Sequence, residues 1–257
     1  MVNLMGIRRI IKNYIYRKKF KIKEKEVKDN LKKQSILVTG ANSGIGLALT
    51  KKFLDFNNSV SATYNQNKDN LAKIKKKDLE IFQCDQSKIG NIDNLKNFIK
   101  DKSINVVINN AGTWGGQNQN FNNIDYENFT TALNVNAISI IKICEIIINH
   151  SKKDSLNLVV NISSLYSSTE HNTTGTNYIY KGTKSLMNSF SKNLSIDLKN
   201  NYGINVFSVD PGQVKTKMNP YGPLATNQAA LKIINLLKFG NELHGKFVDL
   251  NKNILTW

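Results

Sequence analysis

From Ser35 onward the chain repeats one pattern: a short run rich in Val and Ile, then a longer stretch with apolar residues at helical spacing. The short runs are Ser35–Thr39, Ser59–Thr63, Leu79–Cys84, Ile104–Asn109, Asn157–Ile162 and Ile204–Val209, with a last one at Lys246–Asp249. Helical patterns fill Leu47–Asp55, Ile89–Lys100, Tyr126–His150 and Tyr178–Lys199. Near-continuous apolar strands are covered on both faces, and a helix between successive strands makes them parallel. The expected fold is one doubly wound α/β domain: a mostly parallel seven-stranded sheet with helices on both faces. The 257 residues suffice for one large core. That domain is placed at 34–257, behind a basic extension at 1–33.

The first strand runs straight into Gly40-Ala41-Asn42-Ser43-Gly44-Ile45-Gly46 and then a helix. Glycines at such a junction permit a tight turn, close approach of backbone N–H groups to a pyrophosphate, and close helix–strand contact. The helix N terminus adds partial positive charge. The spacing is GxxxGxG rather than GxGxxG, and an ordinary glycine turn has the same composition. Its position, first strand to first helix, is the context a dinucleotide loop requires. Gly40, Asn42, Ser43, Gly44, Ile45 and Gly46 are therefore cofactor candidates, and the domain is expected to be of the Rossmann type. The second strand ends in Ala62-Thr63-Tyr64-Asn65-Gln66, with no carboxylate for a ribose 2′-OH. Tyr64 and Asn65 thus join the cofactor set. NADP(H) is favoured and NAD(H) stays open, since no arginine stands there to clamp a 2′-phosphate. Asp85 either accepts from the adenine amino group or caps a helix.

The formal net charge of +17 invites a polyanion partner. Arg8, Arg9 and Arg17 are the only arginines, and Lys, Asn and Ile are all heavily used, as A/T-rich codons dictate without any such partner. No nucleic acid is expected. Residues 1–33 hold twelve Lys/Arg against Glu24, Glu26 and Asp29, more than half of the excess. There Ile7, Ile10, Ile11, Tyr14 and Ile15 recur at helical spacing. Three readings stand: an amphipathic helix on an anionic membrane surface, a helix packed on the domain or a second subunit, or a partly disordered basic tail. No secretory signal or spanning helix is expected. Cys84 and Cys144 form no disulfide framework, which points to a reducing, cytoplasmic setting, peripheral to the membrane if the extension binds there. His150, His171 and His244 lie far apart, and no metal is expected.

Tyr180 and Lys184 stand four apart on a predicted helix, which places a phenol beside a fixed cation that lowers its pKa. The pair alone says little, because nine tyrosines in so lysine-rich a chain give roughly one such pair by chance. Tyr14/Lys18 and Tyr64/Lys68 are two more. Order carries the argument. After the glycine loop come Asn109-Asn110-Ala111-Gly112 ending the fourth strand, Asn136 within a helix, and Ser163-Ser164 ending the fifth. Tyr180 and Lys184 follow, then Asp210-Pro211-Gly212-Gln213-Val214-Lys215-Thr216 closing the sixth. In a doubly wound sheet, ligands bind beyond the carboxyl ends of the strands, where four of these six elements fall.

In this combination the sequence, from about Gln34 to the last residue, resembles the short-chain dehydrogenase/reductase family. Within it the chain is most similar to the carbonyl-reductase branch of C-factor and sniffer-type proteins. The likeness lies in Asn177-Tyr178-Ile179-Tyr180-Lys181-Gly182-Thr183-Lys184-Ser185-Leu186-Met187-Asn188, in Pro223-Leu224, and in Gly245-Lys246-Phe247-Val248-Asp249 through Trp257. The resemblance implies a hydride transfer between a nicotinamide cofactor and a small carbonyl or alcohol substrate. Tyr180 would be the acid on the carbonyl oxygen. Lys184 would bind the nicotinamide ribose and depress the tyrosine pKa. Ser164 rather than Ser163 would bind the substrate carbonyl, and Asn136 would hold a relay water or, more plainly, fix a kinked helix. Asn110, Ala111 and Gly112 would line the adenosine side. Pro211, Gly212, Val214 and Thr216 would line the nicotinamide side.

The chain departs from the family pattern in three places: a long gap from Ser164 to Tyr180, a glycine at 182 inside the catalytic helix, and the basic extension. Trp114, Tyr166, His171, Met218 and Tyr221 are expected to border a partly apolar pocket, with 217–230 as a small lid. A homo-oligomer, dimer or tetramer, is expected through the Tyr126–His150 and Tyr178–Lys199 helices. The competing reading is a cofactor-binding regulatory or signalling protein with little turnover. Its mark would be a damaged tetrad, whereas Asn136, Ser164, Tyr180 and Lys184 are all present.

Overall fold

The computed structural model describes residues 22–28 and 33–257. The isoleucine-rich stretch at 7–15 and the Tyr14/Lys18 pair lie outside the described residues. Seven strands form the main sheet: β1 (Ser35–Val38), β2 (Ser59–Tyr64), β3 (Leu79–Gln83), β4 (Val106–Asn109), β7 (Leu158–Ile162), β8 (Asn205–Asp210) and β9 (Phe247–Asp249). Their order is β3-β2-β1-β4-β7-β8-β9, and every neighbouring pair is parallel. The expected Rossmann-type sheet is thus present, each strand within two residues of its predicted start. β5 (Gln119–Asn120) and β6 (Asn123–Ile124) add a small antiparallel hairpin that sequence periodicity did not show.

Side chains of successive strand residues point to opposite faces, and the core divides accordingly. Ile36 and Val38 of β1 pack on one face with Leu49 and Phe53 of α2 (Gly44–Asp55) and Ile233 and Ile234 of α9 (Thr226–Leu237). Leu37, between them, packs on the other face with Ile143 and Ile147 of α7 (Ser139–His150) and Met187 and Leu198 of α8 (Tyr178–Tyr202). β4 and β7 are buried along their whole length, as two-sided strands must be.

The extension contributes to the first of these layers. In α1 (Glu24–Lys28) Val27 is buried in the same cluster as α2 and α9, the Ile22 N–H donates to Gln228 Oε1 at 3.3 Å, and Lys52 pairs with Glu24 at 3.0 Å. For residues 22–28, packing on the domain is the arrangement found.

The helices differ more from expectation than the strands. The helix expected over Ile89–Lys100 splits into α4 (Ile89–Ile92) and α5 (Leu95–Ile99). Gly90 and the Asn91, Asp93 and Asn94 side chains weaken the continuous helix there. Between α6 (Tyr126–Leu133) and α7 the chain makes a π-turn at Asn134–Ile138, centred on Asn136. Contrary to the expectation of no such stretch, Tyr126–His150 is long and apolar enough to span a membrane by length and composition alone. Its apolar residues are accounted for by the sheet: Ile140, Ile143, Ile146 and Ile147 are buried against it. Finally, α9 begins at Thr226 and takes up the end of the segment assigned to a lid, leaving 217–225 for that role.

Candidate active site

β1 and β4 are neighbours whose connections leave in opposite directions, so a crevice opens beyond their carboxyl ends. A cleft of about 1230 Å³ lies there. Of the residues assigned to the site from sequence, all but Gly46 and Asn136 line it.

Its glycine-loop end is built of backbone. A Cβ on Gly40 would stand 2.7 Å from Ala111 Cα, and one on Gly46 2.4 Å from the Gly40 carbonyl oxygen. Gly46 therefore serves close helix–strand contact and does not face the cleft. Gly44, at φ +55°, lies against Thr216 from the opposite wall. Ser43 gives α2 no side-chain cap and the first turn holds no acid. The helix N terminus thus faces the cleft without an anionic group of its own, as phosphate recognition needs. Asn110 acts as a brace: its Nδ2 donates to the carbonyls of Thr39 and Gly40 at 2.9 and 3.2 Å. Thr39 Oγ1 returns the tie, accepting from the N–H groups of Asn110 and Ala111, each at 3.0 Å. Asn42 is fixed from outside, its carbonyl accepting from Asn70 Nδ2 at 3.0 Å. Tyr64 and Asn65 stand at the end of β2, and Asn65 is held through its carbonyl by Gln83 at 2.9 Å. Asp85 Oδ1 accepts from the backbone and hydroxyl of Ser87 at 3.0 and 2.7 Å, closing a turn ahead of α4 and not capping that helix, whose N-cap is Lys88; Asp85 still lines the cleft. These residues, a cradle that side chains on the glycines would fill, fit a dinucleotide.

The other end is built of side chains. Ser164 follows β7 and caps a 3-10 turn, Leu165–Ser167, its hydroxyl accepting from Tyr166 N at 3.2 Å. Ser163 lines the cleft as well but donates to Asn188 Oδ1 at 2.7 Å, while the Ser164 side chain is hydrogen-bonded to Tyr180. Tyr180 sits in the first turn of α8. Its backbone N–H is held by Gln119 Oε1 at 2.9 Å, the role of the β5–β6 hairpin. The Tyr180 ring packs 4.6 Å from Trp114 and edge-on to Tyr166 at 6.2 Å. Burial pushes the phenol up to about 12, the Ser164 side-chain hydrogen bond pulls it down, and the charges of Asp210 and Tyr166 raise it further.

This corrects the expectation that Lys184 lowers the tyrosine. The Lys184 ammonium is buried one turn along the helix and donates to the Ile162 carbonyl at 2.8 Å, and burial lowers it to about 8. Desolvation by burial is the largest influence on the phenol, and the ammonium is not among the groups that shift it. Asn136 is fully engaged: Nδ2 donates to the Thr113 carbonyl at 2.9 Å and to Thr183 Oγ1 at 3.0 Å, and Oδ1 accepts from Thr113 N at 2.8 Å. Its side chain ties the π-turn to the loop after β4 and to α8. Pro211, Gly212, Val214 and Thr216 form the far wall, with Thr216 Oγ1 accepting from Asn219 N at 3.2 Å.

Trp114, Tyr166 and Met218 border the cleft as expected, but His171 and Tyr221 do not. His171 Nδ1 instead meets Ser168 and Thr256 hydroxyls at 3.1 and 3.2 Å. Three site residues were missed. Lys181, beside Tyr180, is buried and gathers the long 164–180 loop, donating to Asn172 at 2.7 Å, Thr174 at 3.2 Å and the Gly175 carbonyl. Gln119 gave no signal at all in sequence. Asp210 did: it is a carboxylate ending an apolar strand, immediately before Pro-Gly. Among the described residues no group of three or more His, Cys, Asp or Glu is placed to hold a metal.

Comparison with known proteins agrees with this geometry. The chain is 27% identical over 158 residues to C-signal of Myxococcus xanthus, covering 60% of this chain and 93% of that one. A probable NADP-dependent dehydrogenase of Haemophilus influenzae is 26% identical over 189 residues, 71% of this chain and 72% of the relative. Among solved structures, carbonyl reductase Sniffer of D. melanogaster superposes with a TM-score of 0.78 at 26% identity, over 88% of this chain and all of that one. The family model for short chain dehydrogenases matches residues 34–223. Because that match runs from the residue before β1 to the loop beyond β8, and so takes in all but the C-terminal edge of the cleft wall, the chain belongs to the short chain dehydrogenase family and is an NAD(P)-dependent oxidoreductase.

Proposed function

We propose that the chain reduces small carbonyl compounds with NADPH, Tyr180 giving the proton to the carbonyl oxygen. The observation that carries this reading is a buried phenol that lines the cleft, hydrogen-bonded to Ser164 and packed against the Trp114 and Tyr166 rings. A general acid must enter the reaction protonated, as any phenol at neutral pH does; giving the proton up readily calls for a pKa nearer working pH, so burial works against the acid and the Ser164 hydrogen bond works with it. The cofactor, when bound, supplies the hydride to the carbonyl carbon; the proton on oxygen completes the alcohol. Ser164 is placed to donate to the same oxygen, and its position is set by the 3-10 turn it caps. Lys184, held on the Ile162 carbonyl beside Gly112, would hold the ribose hydroxyls of the cofactor, and its place on the cleft wall supports that role.

The preference for NADPH rests on the end of β2, where Tyr64-Asn65-Gln66-Asn67 line the cleft and no carboxylate opposes a 2′-phosphate. The Haemophilus relative, described as NADP-dependent, supports it. The test is Tyr180→Phe. NADPH should raise the melting temperature of wild type and variant alike, and more than NADH does. Turnover of ketones and aldehydes should fall by roughly 10²- to 10⁴-fold, the worth of a positioned general acid. Full turnover in the variant would reject the assignment.

A further inference from the structure

The cleft differs in charge from the chain that forms it. The whole sequence holds 36 Lys/Arg against 19 Asp/Glu. The charged residues of the cleft wall are Asp85, Lys184, Asp210, Lys217 and Asp249, three acids and two lysines. The acids are unevenly placed. Asp85 is at the β2–β3 side and is occupied by Ser87. Asp210 and Asp249 are register partners at the carboxyl ends of β8 and β9, on the reacting side.

Of the two, Asp249 is turned to its own loop, accepting from Asn251 N, Asn253 N and Asn253 Nδ2 at 2.7, 3.0 and 2.8 Å. Asp210 bonds its own loop too, through the Gly212 N–H, but it also reaches across to the loop after β7: its Oδ1 accepts from the N–H of Leu165 at 3.0 Å, the residue directly after Ser164. It forms no ion pair among the described residues. Its charge reaches the phenol of Tyr180, whose proton it makes harder to lose. Burial, the largest influence, raises its pKa and the charge of Asp249 adds to this, while the two amide donors favour the ionised carboxylate.

The cations that could balance a second anion here are engaged or distant. Lys184 is committed to the Ile162 carbonyl. Lys217 is exposed at the rim. No arginine is among the cleft-lining residues. A carbonyl compound seated on Ser164 and Tyr180 brings the atoms next to its carbonyl carbon into the field of Asp210, where a carboxylate meets a like charge and no clamp. Specificity built from repulsion needs only that difference.

Resting on the carbonyl-reducing reading above, we propose that Asp210 is a specificity-determining residue that restricts this site to carbonyl compounds with no anionic group beside the carbonyl, and so excludes short oxo acids. Neutral ketones, aldehydes and oxo esters fit the site.

The experiment compares matched pairs that differ in one charge: acetoacetate with methyl acetoacetate, and benzoylformate with methyl benzoylformate. Each is measured with NADPH on the full chain. Wild type should prefer each ester by at least about tenfold in kcat/KM, the scale of one unfavourable contact in a pocket. Asp210→Asn keeps an acceptor for Leu165 N–H and loses the charge, so the preference should fall several-fold. Asp210→Ser, a second variant, should narrow it likewise. A general loss of activity in either variant cancels in the ratio, and the wild-type ratio stands whether or not a variant folds. Equal use of acid and ester by wild type, or a ratio unchanged in a folded variant, overturns the role of Asp210 and leaves the reductase reading intact. Reduction of neither member of either pair, with NADPH bound, overturns the reductase reading and this inference together.

Discussion

Two helices point their N termini into the same cleft, and each carries a glycine within two turns of its start. In α2 it is Gly46, whose absent side chain would strike the Gly40 carbonyl at 2.4 Å and Asn110 Nδ2 at 2.5 Å. In α8 it is Gly182, where an added Cβ would meet nothing within 4 Å. The entrances differ as well. α2 starts from an extended Ser43 without a side-chain cap. α8 starts from Gly175, Thr176 and Asn177, three residues in a row at positive φ, with Lys181 holding the loop behind them. At one end of the cleft the backbone itself recognises the ligand, so side chains must be kept out. At the other the side chains of Ser164, Tyr180 and Lys184 line the cleft, and the backbone is bent to deliver them. A β-branched threonine at φ +54° is the strain that delivery leaves behind.

The sharpest test of that contrast is one substitution made in both helices. Gly46→Ala should destabilise the protein by at least about 3 kcal/mol, the upper range for overpacking, because the atoms it meets include backbone that cannot yield. Thermal melting and NADPH titration should show the loss together. A variant with unaltered melting would show that the glycine loop tolerates side chains and would erase the distinction.

Lys184 offers a test of the second end. A lysine whose pKa is about 8 when folded, against an ordinary 10.5, has given up its proton between those pH values while the unfolded chain still holds it. The unfolded state then binds more protons, so this group's contribution makes stability rise with pH from about 8 to 10.5. Over that span the gain is roughly 2–3 kcal/mol. Tyr180, Cys84 and Cys144, all pushed upward to about 11 or 12 by burial, oppose it at the alkaline end. They are shared with Lys184→Met, so the difference between wild type and variant isolates the lysine. Denaturant melts should show wild type closing on the variant as pH rises. Parallel curves would mean that the ammonium is not desolvated.

The smallest effect is expected of Gly182→Ala. With open space around it and helix on both sides, alanine should stabilise α8 by about 1 kcal/mol and raise the melting temperature by a few degrees. Destabilisation there would show that a second surface does approach this turn.

The strands were readable because two-sided burial writes itself as runs of Val and Ile, and the glycine loop because backbone recognition leaves glycines at one junction. The tyrosine and lysine were readable only by order along the chain. The rest of the site was not. Gln119, a polar residue in a loop, has no pattern that marks it as the partner of Tyr180 N, 61 positions away. Asn136 could be read as either relay or brace, and its three bonds to Thr113 and Thr183 exist only after α6, α7 and α8 have packed. The burial that raises the pKa of Tyr180 was not readable, because spacing along a helix places a cation but does not give the depth at which a side chain lies.

By itself, then, the sequence determined the layer order, the parallel sheet and the crevice at which a dinucleotide lies. Those follow from local periodicity and from steric limits within a few residues. Tertiary structure decided the electrostatics of the reacting end: which way Lys184 points, how deeply the phenol is held, and that Asp210 faces the cleft without a counter-charge. Charge interactions in a protein depend on burial and on partners brought from several strands, and neither is a property of any one segment.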